Sequence, residues 1–135
     1  MRLHAFTLCL LFAGSVTAQN VNVTYQSKTT YTGQTLSNIW GYAAGGKEYA
    51  LVGAKNGMIV TDVTNPAAPV QIVQISGPSS QWREIKTYQN YAYVATEGGG
   101  GLQIIDLSPL PSASLPVYTY TGGGTTPAVL NTIHA

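Results

Sequence analysis

One pattern occurs twice in this chain, and it limits the fold more than any other feature. The first copy runs Ile39-Trp40-Gly41-Tyr42, Tyr49-Ala50-Leu51-Val52-Gly53-Ala54, Gly57-Met58-Ile59-Val60-Thr61-Asp62-Val63 and Pro69-Val70-Gln71-Ile72-Val73. The second runs Trp82-Arg83-Glu84-Ile85-Lys86, Tyr91-Ala92-Tyr93-Val94-Ala95-Thr96, Gly101-Leu102-Gln103-Ile104-Ile105-Asp106-Leu107 and Pro116-Val117-Tyr118-Thr119-Tyr120. Trp40 to Trp82 and Tyr49 to Tyr91 are 42 residues apart, Asp62 to Asp106 is 44, and Pro69 to Pro116 is 47. Extra loop residues at 98–101 and 107–115 account for the drift. Four short runs of β-formers at a period in the low forties match one propeller blade, about 40–50 residues. The fold class expected is therefore all-β: a partial β-propeller of two four-stranded antiparallel blades plus the start of a third.

Local chemistry supports each strand. The runs 49–54 and 91–96 are β-branched, aromatic and small, without proline. They are almost continuously apolar, as a strand packed on both faces requires. Lys55-Asn56-Gly57 predicts a tight hairpin, with Asn-Gly taking positive φ. Asp62 and Asp106 end their strands, where a carboxylate accepts the N–H two residues on. Pro69 and Pro116 open a fourth strand, where a missing N–H is tolerated. The expected strands lie near 39–43, 48–54, 58–63, 69–75, 82–88, 91–97, 101–107 and 116–121. No 3.6-residue periodicity follows residue 18.

The N-terminus predicts export. Arg2 and His4 precede an apolar run from Ala5 to Ala13, and Val16-Thr17-Ala18 supplies small residues for cleavage. The run is too short to span a bilayer, which takes about 20 apolar residues, so no transmembrane segment is expected. Cleavage removes the single cysteine, Cys9, and with it any disulfide or thiolate metal site. It also removes Arg2, leaving Lys and Arg equal in number to the 5 acidic residues. A chain without a basic surplus has little to neutralise phosphates, so nucleic acid is not an expected partner. The chain divides into a signal peptide at 1–18, an N-terminal segment or edge strand at 19–37, blades at 38–78 and 79–124, and the start of a third blade at 125–135. Repeat units cannot bury their faces alone, so the chain is expected to be the N-terminal fragment of a longer protein whose remaining blades complete the ring; the alternative is a two-blade protein that oligomerises.

The run Gly57 to Val70 resembles the LVIVD repeat: a glycine, an apolar strand ending in Asp, and a small-residue turn with proline. Gly101 to Leu107 resembles a second copy. Ser37-Asn38-Ile39-Trp40-Gly41, Glu48 to Gly53 and Trp82 to Lys86 are similar, more narrowly, to the bacterial choice-of-anchor B proteins. That resemblance implies a propeller that is secreted or displayed at the cell surface. It implies no catalytic residues. Many relatives carry a histidine in the loop that here reads Gly98–Gly101, a departure from the family pattern.

Candidate site residues are few. Trp40 and Trp82 stand at matching places in the two copies; they serve packing, or they stack on a sugar or aromatic ligand. Arg83, Glu84 and Lys86 form the densest charge cluster, with Glu97 at the end of the following strand. Strand alternation puts Glu84 and Lys86 on one side and Arg83 on the other. They bind a polar ligand or make a salt bridge between blades. His134 is the only histidine beyond the signal, so no Ser-His-Asp set and no zinc site can be drawn. No metal site and no cofactor are expected. The expectation is an exported, surface-held binding or scaffold propeller with a protein or glycan ligand. The alternative is an extracellular propeller hydrolase completed by further blades.

Overall fold

The computed structural model describes residues 22–124 and 130–133. The expected signal segment 1–18, most of the expected third-blade start at 125–135 and His134 with it lie outside the described residues. The described chain forms eight strands: β1 (Leu36–Ala44), β2 (Lys47–Ala54), β3 (Gly57–Asp62), β4 (Val70–Ser76), β5 (Arg83–Tyr88), β6 (Tyr91–Thr96), β7 (Leu102–Asp106) and β8 (Val117–Tyr120). They build two four-stranded antiparallel meanders, β1-β2-β3-β4 and β5-β6-β7-β8. The expected strands are all present, with ends displaced by three residues or fewer.

The punctuation works for identifiable reasons. Thr64 N–H donates to Asp62 Oδ1 at 3.0 Å, and Ser108 N–H to Asp106 Oδ1 at 2.9 Å, so both strands close in Asx turns. The β2–β3 turn differs from expectation at Asn56, whose φ is not positive; Gly57 alone is (141°). Glycine is needed there because a Cβ would lie 1.9 Å from the Ile75 carbonyl oxygen of β4. Gly101 has the same role in the second sheet, where a Cβ would lie 2.4 Å from Tyr120 O.

The sheets stack face against face. The face of the first sheet that looks along the chain, its trailing face, carries Tyr49, Leu51, Met58, Val60 and Ile75. The leading face of the second sheet carries Ile85, Ala92, Val94 and Ile105. All nine, with Leu107, form one buried cluster. Burial of this kind stabilises by roughly 25 cal/mol per Å² of apolar surface, so this seam is the core of the described protein. Trp40 and Tyr42 pack against its margin. Tyr42 stacks on its cross-strand partner Tyr49 with ring centroids 6.3 Å apart. Burial, then the charge of Asp106, raises the Tyr42 pKa.

The N-terminal segment is no edge strand before Leu36. Residues 24–31 lie as a strap over the leading face of the first sheet. There Tyr31 packs on Val52, Ala54 and Ile59. Its hydroxyl is 2.6 Å from Thr61 Oγ1, and Ser27 Oγ donates to Pro66 O at 2.6 Å. The polar composition of this segment explains the difference: side-chain hydroxyls hold it, and no strand ladder does.

At the other end, residues 130–133 form no strand. Leu130 N–H donates to Thr121 O, Gly101 N–H to Asn131 O and Ile133 N–H to Thr96 O, at 2.6–3.0 Å. The first sheet is left in a similar way, with Gly77 N–H on Asn56 O and Ser80 N–H on Lys55 O. The chain therefore crosses the end of each sheet over its central hairpin turn. Among the described residues no helix is long and apolar enough to cross a membrane.

Candidate functional site

A cleft of about 200 Å³ opens where β1 and β5 begin, beside the crossing segments. It is lined by Ser37, Asn38, Trp82, Arg83, Glu84, Ala95, Glu97 and Ile133. Of the residues singled out from sequence, Trp82, Arg83, Glu84 and Glu97 meet here, and Lys86 and Trp40 are not in the lining.

Strand register explains why the two tryptophans part. Trp40 pairs with Leu51, and the counterpart of Leu51 in the second sheet is Tyr93, which pairs with Lys86. The structural equivalent of Trp40 is therefore Lys86, and the expected correspondence of Trp40 with Trp82 is wrong. The sequence offset of 42 holds for β2 and β6, but the β1–β2 hairpin continues past Tyr42↔Tyr49 by two more pairs, Ala43↔Glu48 and Ala44↔Lys47, whereas β5–β6 turns directly after Tyr88↔Tyr91, and this shifts the count in β1. Trp40 lies in the seam, its Nε1–H donating to Thr87 Oγ1 at 2.9 Å. Lys86 Nζ stands 4.1 Å from its ring centroid, a cation–π contact. Trp82 precedes β5 and is 63% exposed. Its backbone is held by Ser80, whose Oγ donates to Trp82 O at 2.8 Å and accepts Trp82 N–H at 3.1 Å. The indole is thus presented to solvent from a fixed backbone.

The charged residues alternate as expected. Glu84 and Lys86 share one side and pair at 2.6 Å within β5. Among the described residues no salt bridge joins the two blades; Glu84 Oε2 instead accepts Asn38 Nδ2–H at 2.8 Å across the seam. The two ion pairs among the described residues are Lys86–Glu84 and Lys47–Asp62, and neither includes Arg83.

Arg83 is 3% exposed. Its Nε–H donates to Ala54 O at 3.0 Å and its Nη2–H to Pro78 O at 2.5 Å. The guanidinium thus ties the end of β2 to the β4–β5 connection. Burial lowers its pKa. Nη1 of Arg83 and Oδ1 of Asn38 are buried without a protein partner. Asn38 lines the cleft, and its unpaired oxygen favours a polar guest, because leaving such a group unpaired costs about 1–3 kcal/mol. Sequence reasoning missed Ser37, Asn38 and Ile133. Only the stacking of the two sheets brings them to the cleft, and no local pattern marks them. Among the described residues no three His, Cys, Asp or Glu side chains converge on a metal-sized site.

Two four-stranded meanders stacked in sequence, with an inner-strand cleft at one end, define this as a pair of β-propeller blades. The LVIVD repeat family matches residues 45–73 and 81–120, one segment for each blade and together just over half of the chain. The chain belongs to the LVIVD-repeat family. No curated protein and no solved structure matches it.

Proposed function

We propose that the protein is an exported, non-catalytic binding propeller of the choice-of-anchor B type, held at the cell surface, whose ligand is a glycan bound in the cleft between the inner strands. The observation that carries this reading is Trp82. A largely exposed indole at the mouth of the cleft, on a backbone held by Ser80, provides an apolar platform for the face of a sugar ring. Planar polar side chains beside it, Asn38, Glu84 and Glu97, suit paired hydroxyls. The signal-like N-terminus supports export.

The test is titration of the exported protein against a panel of neutral and acidic oligosaccharides, with the N-terminal residue read from the same preparation. Binding that falls at least tenfold in Trp82→Ala and is unchanged in Tyr88→Ala supports the reading, as does a mature N-terminus at Gln19. No binding across the panel, or equal binding by Trp82→Ala, defeats the glycan assignment. A protein still beginning at Met1 defeats export.

A further inference from the structure

The side-chain donors of the cleft lining are directed largely at the protein itself. Ser37 Oγ–H donates to Arg83 O at 3.4 Å. Arg83 directs Nε–H and Nη2–H at the Ala54 and Pro78 carbonyls. Its third nitrogen, Nη1, lies beside Gly77 and Gln103, neither of which lines the cleft: a Cβ on Gly77 would stand 3.1 Å from Nη1 and 2.7 Å from Gln103 Oε1. Glu84 and Glu97 are carboxylates, which accept and do not donate.

One further acceptor is held in place from a distance. An amide side chain has a donor at one end and an acceptor at the other, so it reads a guest one way only if something fixes which end is free. Glu84 does this for Asn38. Its Oε2 accepts Asn38 Nδ2–H at 2.8 Å, and turning the amide over would set oxygen against oxygen. Glu84 is held in turn, because Lys86 Nζ pairs with Oε1 at 2.6 Å. Lys86 lies 4.1 Å from the Trp40 ring centroid, and Trp40 is anchored to Thr87 Oγ1 at 2.9 Å. The order of the seam reaches the cleft through Trp40, Lys86, Glu84 and Asn38. It leaves Asn38 Oδ1 a buried acceptor without a protein partner.

We propose that the cleft selects a neutral sugar presenting a hydroxyl proton, that Asn38 Oδ1 is the specificity-determining acceptor of that proton, and that Glu84 and Lys86 are its positioning residues. That selectivity rests on the glycan reading of the cleft and narrows it. An acidic sugar would bring its carboxylate toward Glu84 and Glu97, and like charges set together disfavour binding. The cation in the lining does not offset this, because Arg83 is 3% exposed and already bonded to carbonyls.

Titrations of the exported protein followed by NMR test the proposal, with the Trp82 indole and Asn38 amide signals as reporters. The probes are the methyl glycosides of glucose, galactose and mannose, their uronates, and their monodeoxyfluoro derivatives, in which fluorine replaces one hydroxyl and cannot donate. The uronates should bind about tenfold or more weakly than their parents. One deoxyfluoro position should lose about fivefold or more, the scale of an abandoned buried acceptor, and that loss should vanish in Asn38→Leu. It should shrink in Glu84→Gln, whose amide can face either end of Asn38 and so releases its orientation. It should persist in Glu97→Gln, which removes an equal charge from the lining but not the bond to Asn38. Cooperative unfolding of each variant, followed by circular dichroism, shows that the blades remain folded; the uronate and deoxyfluoro comparisons on the unaltered protein need no variant. Uronates that bind as tightly as their parents, no deoxyfluoro position that weakens binding, or a loss that survives Asn38→Leu overturns the proposal and leaves the glycan reading standing. No shift at Trp82 with any of the sugars defeats the glycan reading itself, and the proposal with it.

Discussion

The trailing faces of the two blades are built alike and have opposite surroundings. In the first, Tyr49, Leu51, Met58 and Val60 are sealed by the second blade, with at most 2% exposure. In the second, Tyr91, Tyr93, Leu102 and Ile104 are half-buried, and Tyr88 and Tyr118 beside them are 67% and 57% exposed. The comparison teaches that burial in this fold is a property of the neighbour and not of the strand. The same run of apolar residues in the same ladder becomes a core or a surface according to whether another sheet stacks on it. The composition responds: leucine at 51 is tyrosine at 93, a residue with an apolar body and a polar tip that is at home on a half-wet face.

The sharpest way to break this comparison is truncation at matched positions. Leu51→Ala leaves a hole in the seam and should cost about 2–5 kcal/mol, the range for large-to-small changes in a packed core. Tyr93→Ala, at the corresponding place, should cost about 1 kcal/mol or less, as surface changes do. Denaturant unfolding followed by circular dichroism measures both. Equal losses would mean that something already covers the second trailing face in solution.

A smaller effect is expected where the seam is polar. Arg83→Met keeps the stem and deletes the donors that reach Ala54 O and Pro78 O. Stability should fall by about 1–3 kcal/mol through the abandoned carbonyls. Because no carboxylate is paired with this guanidinium among the described residues, the loss should be insensitive to salt. A strongly salt-dependent loss would show that the guanidinium acts as a charge and not as a fixed set of donors.

The smallest effect compares the two Asx turns. Hydrogen bonds from Lys47 and Thr64 pull the Asp62 carboxyl from its usual 3.8 to about 2. Ser108 and then Asn90 lower Asp106 as well. A depressed carboxyl pKa contributes stability that is present above the unfolded value and lost as pH falls through the folded one. Unfolding midpoints should therefore drop between about pH 4 and pH 2, and Asp62→Asn should flatten the drop more than Asp106→Asn. The reverse order would show that the neutral Asn90 partner in the second blade holds its carboxylate as well as Lys47 does in the first.

Most of the fold was legible because it is written in local chemistry repeated at a constant spacing. The glycines at 57 and 101, the Asp-led turns and the Pro-led fourth strands each act within a few residues. Repetition of the whole set turned eight ambiguous apolar runs into two sheets. The site was legible in part. Arg83, Glu84 and their alternation follow from a period of two along one strand. The match of Trp40 with Trp82 failed because the β1–β2 hairpin runs two pairs further toward its turn than β5–β6 does, and equal spacing along the sequence hides that difference in length. The strap was illegible for a related reason: Tyr31 and Ser27 bind groups 30 and 39 residues away, and no periodicity records a partner on another sheet face.

The sequence by itself therefore determined the sheets: their number, strand order, turns and family, since hydrogen-bonded ladders between neighbouring strands follow from nearby side chains and turn geometry. Only the tertiary structure decided which faces are core, where the charged residues find partners, and which side chains share a cleft. Those outcomes depend on stacking one sheet against another, an interaction with little directionality and no fixed spacing along the chain. Arg83 shows the division most plainly: its place on the buried side of β5 is a matter of alternation, but its two carbonyl partners exist only because the second blade packs against the end of the first.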